Sequence, residues 1–473
     1  MTYSYNLVDE AWIPCTRLDG RVEELGLRQT LLRAHELRGV QGDSPLETAA
    51  LYRLLLAVLH SALRGPRTWD EWGELWERGR WAPELINGYL DQWRERFDLF
   101  HPQRPFYQVR EERMSPKSAL LLPHGMSTAN ELFEHETVTE DVSLTCNQAA
   151  RALLVGQAYG MGGLCNPQLK IFLTYAPWAR GIIFLAEGNC LFETLALNLI
   201  RYDLANDKPM PKTGRDQPAW EMDDPFQPNR KIPLGYLDYL TWQNRKILLV
   251  PEGEKGRTAV RKIHIARGLD LDDVMDPFKQ YTKKDDNAWK QWVFREGRDL
   301  WRDSHALFRL KDPGQNRVPQ NFQWLSELVA AHYLDAKQTF RCTALGMATH
   351  YKDAKIYFYR HESLPLPLAY LESENLVTAL WNALTNADKV RGKLWGAVST
   401  LAKFVIAPNH DLPNAAPPDK ENVEKLVNHW AVEAWYWGAL ELPFLRLLED
   451  LPGNPNAVDS WHETLRQAAW DAL

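Results

Sequence analysis

The chain has 473 residues, with 55 Lys and Arg against 62 Asp and Glu, for a net charge of −7. That length allows more than one domain and a core that folds without staples, and the acidic balance argues against a protein that coats nucleic acid non-specifically. Apolar residues at 45% and charged residues at 25% exclude wholesale disorder, and the 20 Trp are the compositional outlier. Five scattered cysteines, Cys15, Cys146, Cys165, Cys190 and Cys342, form neither an even disulfide framework nor a CxxC zinc knuckle. The N-terminus lacks a basic segment followed by an apolar run, and Gly181–Ala186 is only strand length, so a soluble, unexported protein of a reducing cytoplasm is expected, without a membrane partner.

Residues 5–25 alternate around Asp19-Gly20, which predicts an opening β-hairpin. Ser44-Pro45-Leu46-Glu47 then supplies an N-cap, a first-turn proline and a reciprocal Glu for a helix through Leu51–Leu59, and Thr68 with Glu71 repeats the device. Prolines 102, 105, 116 and 123 break regular structure from Leu99 to Leu122, where Phe100, Phe106 and Tyr107 read as loop anchors. Strands are expected near 170–187, 232–250 and 339–360. After Pro365-Leu366-Pro367 the periodicity becomes helical, near 370–386, 387–406, 420–449 and 457–471, with Pro408–Asp419 as the long connection. The expected fold class is α+β: a large mixed N-terminal domain, residues 1–363, followed by a C-terminal four-helix bundle, residues 364–473.

No catalytic motif emerges. His-Glu pairs at 35, 135, 361 and 462 are followed by Gly39, Thr139, Pro365 and Arg466 where HExxH needs its second histidine. Gly160-Met161-Gly162-Gly163 lacks the last glycine of GxGxxG, and neither a phosphate-loop GKS/T nor a GxSxG elbow is present. Asp223-Asp224 and Asp272-Asp273 read as solvated loop charges. The expectation is no enzyme, no cofactor and no metal.

Three segments suit nucleic acid. The glycine cluster Gly156, Gly160, Gly162 and Gly163 lets backbone approach a partner closely, although a structural turn is the commoner use. Arg257–Arg267 carries Arg257, Arg261, Lys262, His264 and Arg267 without one acid, which also suits a solvated strand face. In Tyr351–Arg360, alternation puts Ile356 and Phe358 on one face and Lys355, Tyr357 and Tyr359 on the other, a pattern shared by base-stacking surfaces and ordinary half-buried strands.

Over nearly its full length the chain resembles the CasA family, the large subunits of the type I-E Cascade complexes of CRISPR immunity. The resemblance is carried by Asn6-Leu-Val-Asp-Glu-Ala-Trp-Ile-Pro14, Phe97-Asp-Leu-Phe-His-Pro102 with Pro105-Phe106, and Cys146 leading into Gly160–Gly163. It continues in Gln217-Pro-Ala-Trp220, Gly235-Tyr-Leu-Asp-Tyr-Leu-Thr-Trp-Gln243, Trp435-Tyr-Trp437 and Pro443-Phe444. It implies a non-catalytic subunit that recognises the protospacer-adjacent motif in double-stranded DNA and helps start R-loop formation. The implied partners are guide RNA, target duplex, other Cascade subunits including the small-subunit dimer, and the recruited helicase-nuclease.

The family's glycine loop, which lies against the motif's minor groove, falls on Gly160, Met161, Gly162 and Gly163. Its wedge falls on Lys352, Asp353 and Ala354; Asp353 stands where some members carry glutamine, which shifts the weight to Lys352. Its basic finger falls on either Lys262 or Arg267, and its guide-RNA loop on 132–135, with Phe133 the residue able to stack on a base. The residue reading alone leaves two rivals: a metal-dependent nucleic-acid enzyme with dispersed ligands, and a scaffold that never touches DNA.

Overall fold

The computed structural model describes the chain apart from residues 1–2, 112–113, 125–142, 167–170, 254–257, 284–287, 311–313, 350–355, 414–415 and 455. It divides into two compact units. The first comprises Met1–Phe294, Pro313–Leu334 and Phe340–Ser363; the second comprises Arg295–Asp312, Asp335–Thr339 and Leu364–Leu473. The second unit thus takes in two short segments that lie before residue 364 in the chain.

The first unit opens with the expected hairpin, Ile13–Arg17 paired antiparallel with Val22–Leu25. Gly20 holds the turn at φ +84°, a region that costs a side-chain-bearing residue about 1 kcal/mol. Leu37–Val40 adds to the other edge of Ile13–Arg17.

The helix Pro45–Leu63 is capped by Ser44, whose Oγ accepts from the Glu47 N–H at 3.2 Å. Glu47 does not complete the box, because its carboxylate is drawn instead to Arg151. At Thr68 the hydroxyl accepts from Glu71 N–H at 3.1 Å, and the Glu71 carboxylate accepts from Arg67 N–H, one residue before the cap, at 2.7 Å. A full box forms at Cys146–Tyr159, where Thr145 and Gln148 exchange side-chain and backbone bonds.

Pro45–Leu63 is long and apolar enough to cross a membrane by length and composition, but most of it is buried inside the first unit, as in a core helix. The tryptophan excess is spent largely inside. Trp12, Trp72, Trp81 and Trp178 are at most 1% exposed, and Trp72 stacks on Trp76 with centroids 5.1 Å apart.

One expected strand is corrected. Of 232–250 only Arg245–Glu252 is extended, while Tyr236–Leu240 is helical. Two carboxylates explain it, one near in sequence and one distant: the Asp238 carboxylate accepts from Leu234 N–H at 2.8 Å, and Asp216 accepts from Asp238 N–H at 3.1 Å. Near 170–187 the strands are Ile171–Leu173 and Ile182–Glu187, and near 339–360 they are Thr339–Thr349 and Ile356–Pro367. The last three of these form one sheet, with Thr339–Thr349 in the middle.

The second unit is helical after Leu368, with boundaries shifted from those expected. The two helices expected at 370–386 and 387–406 are one, Glu374–Ile406, of 33 residues, since no Gly or Pro separates them near Ala387. The single helix expected at 420–449 is two, Lys420–Trp430 and Val432–Asp450, broken at Ala431 in the left-handed region with φ 54°. Ala457–Asp471 closes the unit. Trp301 packs on Phe444 at 4.8 Å and on Trp437 at 5.7 Å, and Arg302 lies 3.6 Å from the Trp437 ring centroid. These contacts tie Arg295–Asp312 to the helices.

His60 yields a pH prediction. Its Nδ1 donates to the Gly65 carbonyl at 3.0 Å, and burial pushes its pKa from 6.5 down to about 3 against the pull of that bond. Across that window the unfolded chain holds a proton that the native state lacks. Stability therefore falls as pH decreases below 6.5, by about 1.4 kcal/mol per pH unit for this group. The His60→Gln variant should lose less stability than the parent between about pH 7 and about pH 5.5 in urea unfolding. Equal losses would show that His60 is not the buried neutral base.

Candidate nucleic-acid interface

The Cys146–Tyr159 helix ends at Gly160, and the four residues Gly160–Gly163 divide into an inner and an outer pair. The Gly160 carbonyl accepts from Ala176 N–H at 2.8 Å, and the Met161 carbonyl accepts from the Arg245 guanidinium at 2.6 Å. Arg245 is itself 0% exposed and Met161 only 1%. A Cβ on Gly160 would lie 2.6 Å from the Gly156 carbonyl oxygen and 2.9 Å from Arg245 Cζ, so glycine there is demanded by packing. Gly163 is exposed, with φ +152° and open space where a Cβ would stand. Gly162 lies between these extremes: a Cβ there would meet the Tyr175 ring at 3.0 Å. The backbone available to a partner therefore reduces from the four expected residues to Gly162 and Gly163.

From Gly163 the chain enters a two-stranded ribbon, Gly163–Asn166 with Ile171–Leu173, on which Phe172 is 57% exposed. It returns through Thr174 and Tyr175, whose ring carries Arg180 at 3.7 Å. Thr174 Oγ1 donates to Asp270 Oδ1 at 3.0 Å, and Arg267 Nε donates to the same oxygen at 3.0 Å, with a second Arg267 nitrogen on Oδ2. Burial pushes the Asp270 carboxyl up, but the bonds from Arg267 and Thr174 outweigh it and hold the group below its usual range. Arg267 is thus joined to the glycine segment through Asp270 and Thr174, as the charge partner of a fixed carboxylate.

Lys262 sits elsewhere on the same strand, Ala259–Arg267, opposite Ser118 on one side and Val250 on the other. A bulge between Val260 and Lys262 leaves both Arg261 and Lys262 exposed, against strict alternation. Arg261 approaches Glu252 at 4.0 Å, whereas Lys262 has no ion pair among the described residues. The run without acids in sequence is therefore partly neutralised by acids from neighbouring segments.

Phe133, Lys352, Asp353 and Ala354 lie outside the described residues. After 350–355, Tyr357 is 62% exposed, while the Tyr359 hydroxyl sits 3.3 Å from His124 Nδ1 and Arg360 covers the Phe358 ring at 4.7 Å. Sequence reading missed Tyr175, Arg180, Arg245 and Asp270. No local motif marks them, because each gains its role from a partner distant in sequence or from a loop turn that no pattern announces. Among the described residues, no group of three or more His, Cys, Asp or Glu side chains is placed to hold a metal ion.

The family model for CRISPR-associated protein Cse1 matches residues 6–472. The chain belongs to the Cse1 family. A Thermus thermophilus relative described as CRISPR-associated protein CasA/Cse1 is 34% identical over 477 residues, covering 99% of this chain and 91% of the relative. A crystal structure of Thermus thermophilus CasA superposes with a TM-score of 0.81 at 32% identity, over 99% of this chain and 93% of that one. A chain of a CRISPR RNA-guided surveillance complex gives 0.78 at 21% identity, over 98% and 94%, a likeness of fold alone. The mixed fold with C-terminal helices is the Cse1 fold.

Proposed function

We propose that the chain is the non-catalytic large subunit of an RNA-guided Cascade surveillance complex in the cytoplasm. In this role it recognises the protospacer-adjacent motif in duplex DNA, helps start R-loop formation and supports recruitment of the helicase-nuclease. The observation that carries the reading is the family match from residue 6 to residue 472. The solved complex of similar fold is described as RNA-guided. Guide RNA, target duplex and the other Cascade subunits, including the small-subunit dimer, are the partners this role requires.

The division of labour follows from physics. Base pairing with the guide reads the target, so the protein needs only a short duplex signal and a means of opening the first pairs. Gly162 and Gly163 present backbone with little side-chain bulk, which suits the minor groove, whose donor and acceptor pattern is degenerate. Tolerance of several motifs follows. Lys262, exposed and without an ion pair among the described residues, fits the phosphate-contacting finger better than Arg267, which is held by Asp270. Phe133 serves the guide RNA in this reading, and Lys352, Asp353 and Ala354 the strand-separating wedge, with Lys352 holding unpaired phosphates.

The test compares the reconstituted complex with and without this chain on a duplex library randomised beside the target. The expected result is enrichment of a small set of flanking sequences only when the chain is present, lost on Gly162→Asp with an unchanged melting curve. Identical libraries in both arms would reject motif recognition. Cleavage of DNA by the isolated chain with Mg²⁺, abolished by one Asp or His substitution, would instead establish an enzyme.

A further inference from the structure

Two paired strands hold both arms of the glycine segment. In the pairing of Arg245–Glu252 with Ala259–Arg267, Arg245 stands directly opposite Arg267. The Arg245 guanidinium donates to the Met161 carbonyl at 2.6 Å, on the arm that leaves the Cys146–Tyr159 helix. Arg267 holds Asp270, which accepts from Thr174 Oγ1 at 3.0 Å on the arm that returns. Asn244, next to Arg245, donates to the same Thr174 oxygen at 3.0 Å. The segment is therefore fixed at both feet.

The Arg245 foot is built around a buried charge. The residue is 0% exposed. Gln157 clasps its backbone, with Nε2 donating to the Arg245 carbonyl at 2.8 Å and Oε1 accepting from the Arg245 N–H at 3.1 Å. Two glycines make room for it: a Cβ on Gly160 would meet Arg245 Cζ at 2.9 Å, and one on Gly268 would meet Arg245 N at 2.6 Å. An apolar side chain of similar volume would fill the space without desolvating a charge, so packing alone does not call for a guanidinium.

Its bond to Met161 sets the direction of one peptide. The Met161–Gly162 bond is trans, and in a planar trans peptide the C=O and the following N–H point opposite ways. With the Met161 carbonyl drawn inward to Arg245, the Gly162 N–H points away from the core, at the margin where the chain becomes exposed at Gly163. No hydrogen bond to another described residue takes up that N–H. Turned the other way, the same peptide would present an acceptor to a groove whose A·T pairs offer only acceptors.

We infer that Arg245 is a positioning residue that never touches DNA: by holding the Met161 carbonyl it aims the Gly162 N–H at a minor-groove acceptor, a purine N3 or pyrimidine O2. The inference rests on the motif-recognising role proposed above. One donor of this kind reports that an acceptor is in reach and does not tell A·T from T·A.

The test uses the reconstituted complex and a duplex whose flank it enriches from the randomised library. Each flanking base in turn loses its minor-groove acceptor, purines as the 3-deaza analogue and pyrimidines as the 2-thio analogue. With the parent chain, one analogue should weaken binding at least tenfold. With Arg245→Gln, too short to reach Met161, the natural duplex should bind at least tenfold more weakly and that analogue should cost less than twofold more. Arg245→Lys, which keeps a donor for the carbonyl, should retain at least a fivefold analogue penalty. Guide-dependent binding of a single-stranded target should stay within twofold of the parent in both variants. A purely structural role would weaken all duplexes alike and leave the analogue penalty at tenfold, which overturns the inference, as does loss of single-stranded binding with Arg245→Gln. Flank selectivity without a sensitive acceptor overturns it alone; a parent complex with no flank selectivity rejects motif recognition and the inference with it.

Discussion

Arg151→Met should destabilise the first unit by about 3–5 kcal/mol, the usual cost of leaving one member of a buried ion pair behind. Arg151 is 5% exposed in its side chain and Glu47 8%, and the two are in direct contact. Arg151 also donates to the Trp12 carbonyl at 3.0 Å and to Glu24 at 2.8 Å, and reaches Asp43 at 3.3 Å. It thereby ties the opening hairpin and the Pro45–Leu63 helix to Cys146–Tyr159. Burial raises the Glu47 pKa even with the Arg151 charge opposing it. Without Arg151 that rise is larger, so the native state of the variant takes up a proton more readily than the unfolded chain. The variant should therefore regain part of its lost stability as pH falls through the folded Glu47 pKa. Adding Glu47→Leu should restore more than half of the loss at neutral pH in urea unfolding, whereas additive losses would show that the pair is not coupled.

The second large effect is at Gly160. A Cβ there meets the Gly156 carbonyl oxygen at 2.6 Å, a backbone atom of the same helix terminus, and the fully buried Arg245 at 2.9 Å. The first is helix backbone and the second is held by its bond to the Met161 carbonyl, so Gly160→Val should cost about 3 kcal/mol. Gly162→Asp, whose Cβ meets only the edge of the Tyr175 ring, should stay within about 1 kcal/mol of the parent. Thermal melts of the two variants separate the roles. A normal melt for Gly160→Val would mean that the helix end is free to open and that all four residues are available to a partner.

Much of this was legible in the sequence because it rests on local physics. Asp19-Gly20 fixed the hairpin, Ser44 and Thr68 fixed two helix starts, and apolar periodicity found the C-terminal helices. Local rules failed where a side chain had two possible partners. Glu47 could have closed its own capping box but was captured by an arginine 104 positions away. Tyr236–Leu240 has strand-like composition, yet Asp216 accepts from its Asp238 N–H and the Asp238 carboxylate turns back to the Leu234 N–H just before it, which favours the helical start.

The glycine segment shows the same boundary at the candidate site. Composition marked Gly160–Gly163 as places where backbone comes close to something, and family resemblance suggested DNA. Sequence by itself determined that these residues needed little bulk. Tertiary structure decided why, since Gly160 is small to admit Arg245 while Gly163 holds a positive φ in open space. The basic run divided likewise, Arg267 being held by Asp270 and Lys262 left outward by a bulge. The reason is common to both: backbone propensity acts over a few residues and is written in neighbouring letters. The direction a side chain faces, and the charge it meets, depend on segments that become neighbours only when the chain has folded.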